Sequence, residues 1–101
     1  MDDKERTAKV QRHSLICKEI NELYARKNHD YGGSFHQTFV EEGFAMSRIR
    51  LSDKLNRFKT LSRGGATQKV GDESIRDTLI DLANYAIMTV LEMEVANNDP
   101  E

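Results

Sequence analysis

The chain has 101 residues, 32% of them charged, a formal net charge of −2, one proline and one cysteine. That length holds one domain of common size, and the near-neutral balance leaves no global basic field to recruit nucleic acid, so charge has to be read segment by segment. Cys17 has no partner for an internal disulfide and is expected as a small buried hydrophobe. The start of the chain lacks the apolar core of a signal peptide, and together these features predict a reducing, cytoplasmic setting.

The glycine pairs Gly32-Gly33 and Gly64-Gly65 divide the sequence into three long segments. The first, about residues 4 to 27, carries Ile16, Ile20 and Leu23 at i, i+4 and i+7, widened by Cys17 and Tyr24, which predicts an amphipathic helix. Asn28 is its expected last residue, followed by a loop over His29 to Thr38. Residues 1–5 and 96–101 are expected as flexible termini.

That loop contains most of "KNHDYGGSF", Lys27 to Phe35, a concentration of chemistry unusual for a connector. Tyr31 could stack on a base, Asp30 could accept a base amino group or complete a metal shell, and the glycines allow close approach to a ligand. The same residues could equally form a turn, with Tyr31 packed on the core and Asp30 bonded to its own backbone.

The second segment, about residues 40 to 62, projects Phe44, Leu51, Leu55, Phe58 and Ser62 onto one arc, with Arg50, Lys54 and Arg57 along its flank. Residues 46 to 63 hold six basic side chains against Asp53 alone, a local charge of +5. The third segment, about Ser74 to Ala96, reverses the sign: residues 72 to 94 hold six acids against Arg76, a local charge of −5. Asp72 or Ser74 is its expected cap.

This third helix has two apolar sides. Ile75, Leu79, Leu82, Ala86, Val90 and Met93 form one, and Ile80, Ile87, Met88 and Leu91 the other. A helix apolar all round is expected to be buried all round, so the second side predicts a homo-oligomer, dimer or higher. The run "LIDLANYAIMTVLEMEV" is too interrupted by Asp81, Asn84 and Glu92 to cross a bilayer, and no membrane partner is expected.

Glu73, Asp77, Asp81 and Asn84 project onto one side of the third helix, with Asp81 set among apolar neighbours. A buried carboxylate costs several kcal/mol unless it is matched by a cation, donors or a metal. Two arrangements meet that need. One is a set of ion pairs, Arg50, Lys54 and Arg57 against Asp77 and Asp81, that holds two helices in register. The other is a site in which Asp53, Glu73, Asp77 and Asp81 hold Mg²⁺ while Lys27, Arg50, Lys54 and Arg57, with Asp30, Tyr31 and Asn84, hold a nucleotide or another phosphorylated small molecule.

The ordered trio "KNHDYGGSF", "RLSDKLNRFKTL" and "DESIRDTLIDLANYAIM" resembles the nucleotide-modification-associated domain family common in phages and prophages. The last motif is also similar to the second acidic motif of MazG-like all-α nucleoside triphosphate pyrophosphatases. That similarity implies an all-α, MazG-like bundle completed by oligomerisation, Asp77 and Asp81 as metal ligands, and cleavage of a triphosphate into a monophosphate and pyrophosphate. The family's other acidic pair is matched only by Glu19 and Glu22, or by Asp53 and Asn56 on the second segment. A non-catalytic nucleotide sponge or accessory protein and a structural helical interaction module are the alternatives.

Overall fold

The computed structural model describes the backbone of residues 1–31, 33–63 and 68–98, and the side chains of residues 1–29, 33–63 and 74–96. Every element among them is a helix: α1 (Asp3–Tyr31), α2 (Ser34–Glu42), α3 (Phe44–Ser62) and α4 (Gln68–Asn98). The predicted all-α class is correct, with four helices where the glycine pairs predicted three. The chain divides into two units, Met1–Gly32 and Gly33–Glu101.

The first unit is α1. Its start is capped by the Asp2 carboxylate, which accepts from the Glu5 N–H at 2.8 Å, and Asp3 and Glu5 in the first turn complement the helix dipole. Ile20 is buried and Ile16, Leu23 and Tyr24 are half-buried, so the predicted stripe is the least exposed part of the helix. Cys17, expected to be buried, is exposed instead, with its Sγ 3.7 Å from His13 Nδ1. It sits about 60° round the helix from Ile20, at the edge of that stripe. The helix also runs past Asn28 to Tyr31, so the predicted loop opens with helical backbone.

In the second unit, Gly33 opens α2, and Gly43 both closes it and opens α3. Gly43 has φ 65° and ψ −147°, a conformation that side chains disfavour, and its N–H donates to the Phe39 carbonyl at 2.7 Å. This single glycine splits the helix predicted over residues 40–62 and turns the rest of the predicted loop into a separate short helix. Phe39 and Phe44 meet edge to face across the break, with ring centroids 5.6 Å apart.

Helices α3 and α4 pack antiparallel. Moving from Ser47 to Lys54 on α3 moves the contact from Thr89 to Asp81 on α4. Helix α2 lies against α4 through the Phe35–Tyr85 ring stack at 6.0 Å and the His36–Glu92 contact. The surface that α4 turns to its neighbours is therefore the line Asp81, Tyr85, Thr89 and Glu92. This differs from the expectation that one of its apolar stripes fills the core. Both stripes are mixed: Leu79, Ala86, Val90 and Met93 of the first and Ile87 and Leu91 of the second are exposed, while Ile75 and Leu82 of the first and Ile80 and Met88 of the second are half-buried. Among the described residues the buried hydrophobic side chains are Ile20 and Met46, and Ser47, Thr78, Asn84 and Glu92 are buried polar ones.

Candidate functional site

Opposite charges from α3 and α4 meet at Lys54 and Asp81. The Lys54 Nζ donates to Asp81 Oδ2 at 3.0 Å, with the two side chains 28% and 26% exposed. The helical phase of each strand of sequence brings them together: Lys54 continues the Ser47 line on α3, and Asp81 continues the Thr89 line on α4. The need for a cation beside Asp81 is met by the helix the sequence indicated. Of the two arrangements open there, the ion pair between helices is present at this position.

Arg50 and Arg57, one turn to either side of Lys54, are exposed, so the α3 flank offers solvent a row of guanidinium and ammonium groups. Asp77 is exposed one turn before Asp81, and Asn84 is buried one turn after it. Asp53 is exposed on α3, about 100° round the helix from Lys54, and so leaves the face that meets α4. Lys27 is exposed in the last turns of α1. The side chains of Asp30, Tyr31 and Glu73 lie outside the described residues. Of the sequence-predicted set, then, Lys54 and Asp81 are in contact, with Arg50, Arg57, Asp77 and Asn84 on the two helices that carry them. Among the described residues, no three His, Cys, Asp or Glu side chains form a group able to hold a metal ion.

A second polar contact was not anticipated. His36 Nδ1 lies 2.6 Å from Glu92 Oε2; the histidine side chain is half exposed and the glutamate only 11% exposed. Between this pair and Lys54–Asp81, the Ser47 and Thr89 hydroxyls are hydrogen-bonded at 2.9 Å, and Thr89 also donates to the Tyr85 carbonyl at 2.8 Å. Polar contacts thus recur along the side of α4 that meets α2 and α3. Glu92 could have been found as the continuation, at i+4, i+8 and i+11, of the line that starts at Asp81.

No helix among the described residues is long and apolar enough to cross a membrane. A family model described as nucleotide modification associated domain 1 matches residues 27–93, from the end of α1 through most of α4. Comparison with curated proteins and with solved structures gives no match.

Proposed function

Because the chain belongs to the nucleotide modification associated domain 1 family, we propose that it binds a nucleotide by its phosphates along the basic flank of α3 and, with Mg²⁺, splits a nucleoside triphosphate into a monophosphate and pyrophosphate. The observation that carries this reading is the Lys54–Asp81 contact. A cation and a carboxylate from oppositely charged helices meet at 3.0 Å while each stays about a quarter exposed, within reach of a ligand. A phosphate group can take over Lys54, and the carboxylate so released is a hard oxygen ligand.

The residues present suit Mg²⁺ on one condition. The ion commonly uses one or two carboxylates and completes its octahedron with water and substrate phosphate oxygens. Asp81 and Asp77, at i and i+4 on one helix, supply that number. Mg²⁺, when bound, supplies neutralisation of charge on the phosphate oxygens. Lys54, Arg50 and Arg57 bind and orient the phosphates, and the guanidinium groups can do so through paired donors. The pyrophosphohydrolase chemistry follows the likeness of the Asp77–Asp81 motif to MazG-like enzymes.

One observation favours a second reading, a nucleotide-binding accessory protein without turnover. Lys54 already neutralises Asp81, so the flank can take a phosphate with no metal at all. Incubating the purified protein with a panel of nucleoside triphosphates, with Mg²⁺ or with a chelator, separates the two. Magnesium-dependent pyrophosphate release that Asp81→Asn abolishes supports the enzyme. Binding with no release supports the accessory protein, and no binding of any nucleotide overturns both.

A further inference from the structure

We propose that the outward face of α3 binds the phosphate backbone of a nucleic-acid duplex, through Arg48, Lys59 and Arg63 with Ser52 and Asn56 between them. The inference does not rest on the nucleotide chemistry proposed above. It begins from a remainder: residues 46 to 63 hold six basic side chains, and the nucleotide flank takes up only Arg50, Lys54 and Arg57. The other three have no part in it.

Those three fall in one line. Arg48, Ser52, Asn56, Lys59 and Arg63 follow one another at intervals of four, four, three and four residues, and project within an arc of about 80°. All five are exposed, and Arg63 stands at the C-cap of the helix. The centre of the arc lies about 150° round the helix from the Ser47–Lys54 line, so it faces away from α4 and from the acids that α4 carries. In the other sense it lies about as far from Arg50 and Arg57. The stripe is therefore a surface separate from the nucleotide flank.

What the stripe leaves out identifies its partner. Every side chain in it can donate a hydrogen bond, and none is an acid. Asp53, the one acid of residues 46 to 63, comes three residues after Arg50 and four before Arg57, and so lies on their flank. Among the described residues, no carboxylate pairs with Arg48, Lys59 or Arg63. Lys59 and Arg63 stand one turn apart, a like-charge spacing that costs an isolated helix stability and that a polyanion relieves. The carbonyl end of α3 also favours those two, but Arg48 lies three turns before Lys59, beyond its reach.

From Arg48 to Arg63 the line measures about 22 Å. Duplex DNA carries one phosphate per about 3.4 Å of axis on each strand, so a backbone lying along α3 meets a cation or a neutral donor at every turn of the helix. The stripe holds no aromatic ring on which an unpaired base could stack, which favours a duplex over a single strand. Phe44, one turn before Arg48, has its ring against Phe39.

Fluorescence anisotropy with a labelled duplex of about 20 base pairs, in chelator and without nucleotide, tests this surface apart from the nucleotide site. Three phosphate contacts predict a salt slope of about −2.7, so affinity should fall roughly fortyfold between about 50 and 200 mM salt. Arg48→Gln/Lys59→Gln should bring the slope to about −0.9 and weaken binding at low salt by at least about tenfold. Arg50→Gln/Arg57→Gln removes the same net charge from the other flank and should leave both quantities nearly unchanged. Equal losses in the two double variants would mean attraction to net charge alone, and overturn the proposal. So would a wild type that leaves the duplex free at low salt and high micromolar protein, a single strand of the same length bound more tightly, or phosphatidylserine vesicles bound in place of the duplex.

Discussion

Lys54 Nζ and Asp81 Oδ2, 3.0 Å apart, form an ion pair between the basic α3 and the acidic α4. Since both side chains are about a quarter exposed, water screens the attraction, and the coupling between them is expected at about 0.5–1 kcal/mol. A double-mutant cycle with Lys54→Met and Asp81→Asn, followed by urea unfolding, measures it. A coupling indistinguishable from zero means that the pair is an incidental contact.

The same lysine is expected to matter more to ligand than to fold. Loss of a charged hydrogen bond to phosphate costs about 1.5–3 kcal/mol, so Lys54→Met should weaken nucleotide binding by about tenfold to a hundredfold. Arg50→Ala and Arg57→Ala should each weaken it and flatten its dependence on salt, because they contribute exposed charge. Calorimetric titration over a range of salt concentrations gives both quantities; unchanged affinity in all three variants removes the α3 flank from the site.

In the family motif, Tyr31→Ala and Asp30→Ala are expected to lower nucleotide affinity by about tenfold while leaving the melting temperature nearly unchanged. Thermal unfolding alongside titration is the check. If both variants lose the cooperative transition, the motif serves the fold and has no separate binding role.

His36 and Glu92 present the opposite balance. Removing His36 leaves a nearly buried carboxylate without its partner, so His36→Ala should destabilise the chain by about 1–3 kcal/mol. Glu92→Gln, which keeps the shape and removes the charge, should cost less. Equal losses in denaturant unfolding would mean that the charge on Glu92 carries the whole contact, and no loss for Glu92→Gln would mean that it has no part.

Backbone conformation separates two glycines. A Cβ at Gly43 meets no atom within 4 Å, yet the position has φ 65°, so Gly43→Ala should cost about 1–3 kcal/mol from strain alone. Gly33, equally open but with φ −94°, should tolerate alanine within about 0.5 kcal/mol. Matching thermal shifts for the two variants would show that the strain is relieved elsewhere.

The helical class and the charge asymmetry were legible because both are written in local spacing. The Ile16–Ile20–Leu23 stripe and the opposed charges of residues 46–63 and 72–94 need no knowledge of neighbours, and Arg50, Lys54 and Arg57 could be set against Asp77 and Asp81 on that basis, of which Lys54 and Asp81 are in contact. The break at Gly43 was not legible. A lone glycine reads alike at Gly43 and at Gly71, yet α3 begins after the first and α4 runs through the second. His36–Glu92 joins residues 56 positions apart, which no single-helix projection can pair. Projection states which residues share a face, but the direction in which that face turns depends on the competing polar seam of Ser47, Thr89, Asp81 and Glu92.

Helix α2 has nine residues, none of them buried, and so is far shorter than a helix that persists in water by its own propensity. Its attachment consists of a ring stack, an edge-to-face aromatic contact and one histidine–carboxylate contact. Opening this segment therefore exposes little apolar surface, and its free energy should fall well below that of separating α3 from α4. Amide protons of residues 37 to 42 should accordingly exchange with solvent well before those at the centres of α3 and α4. A protease that recognises Phe39 should make its first cut in the second unit there.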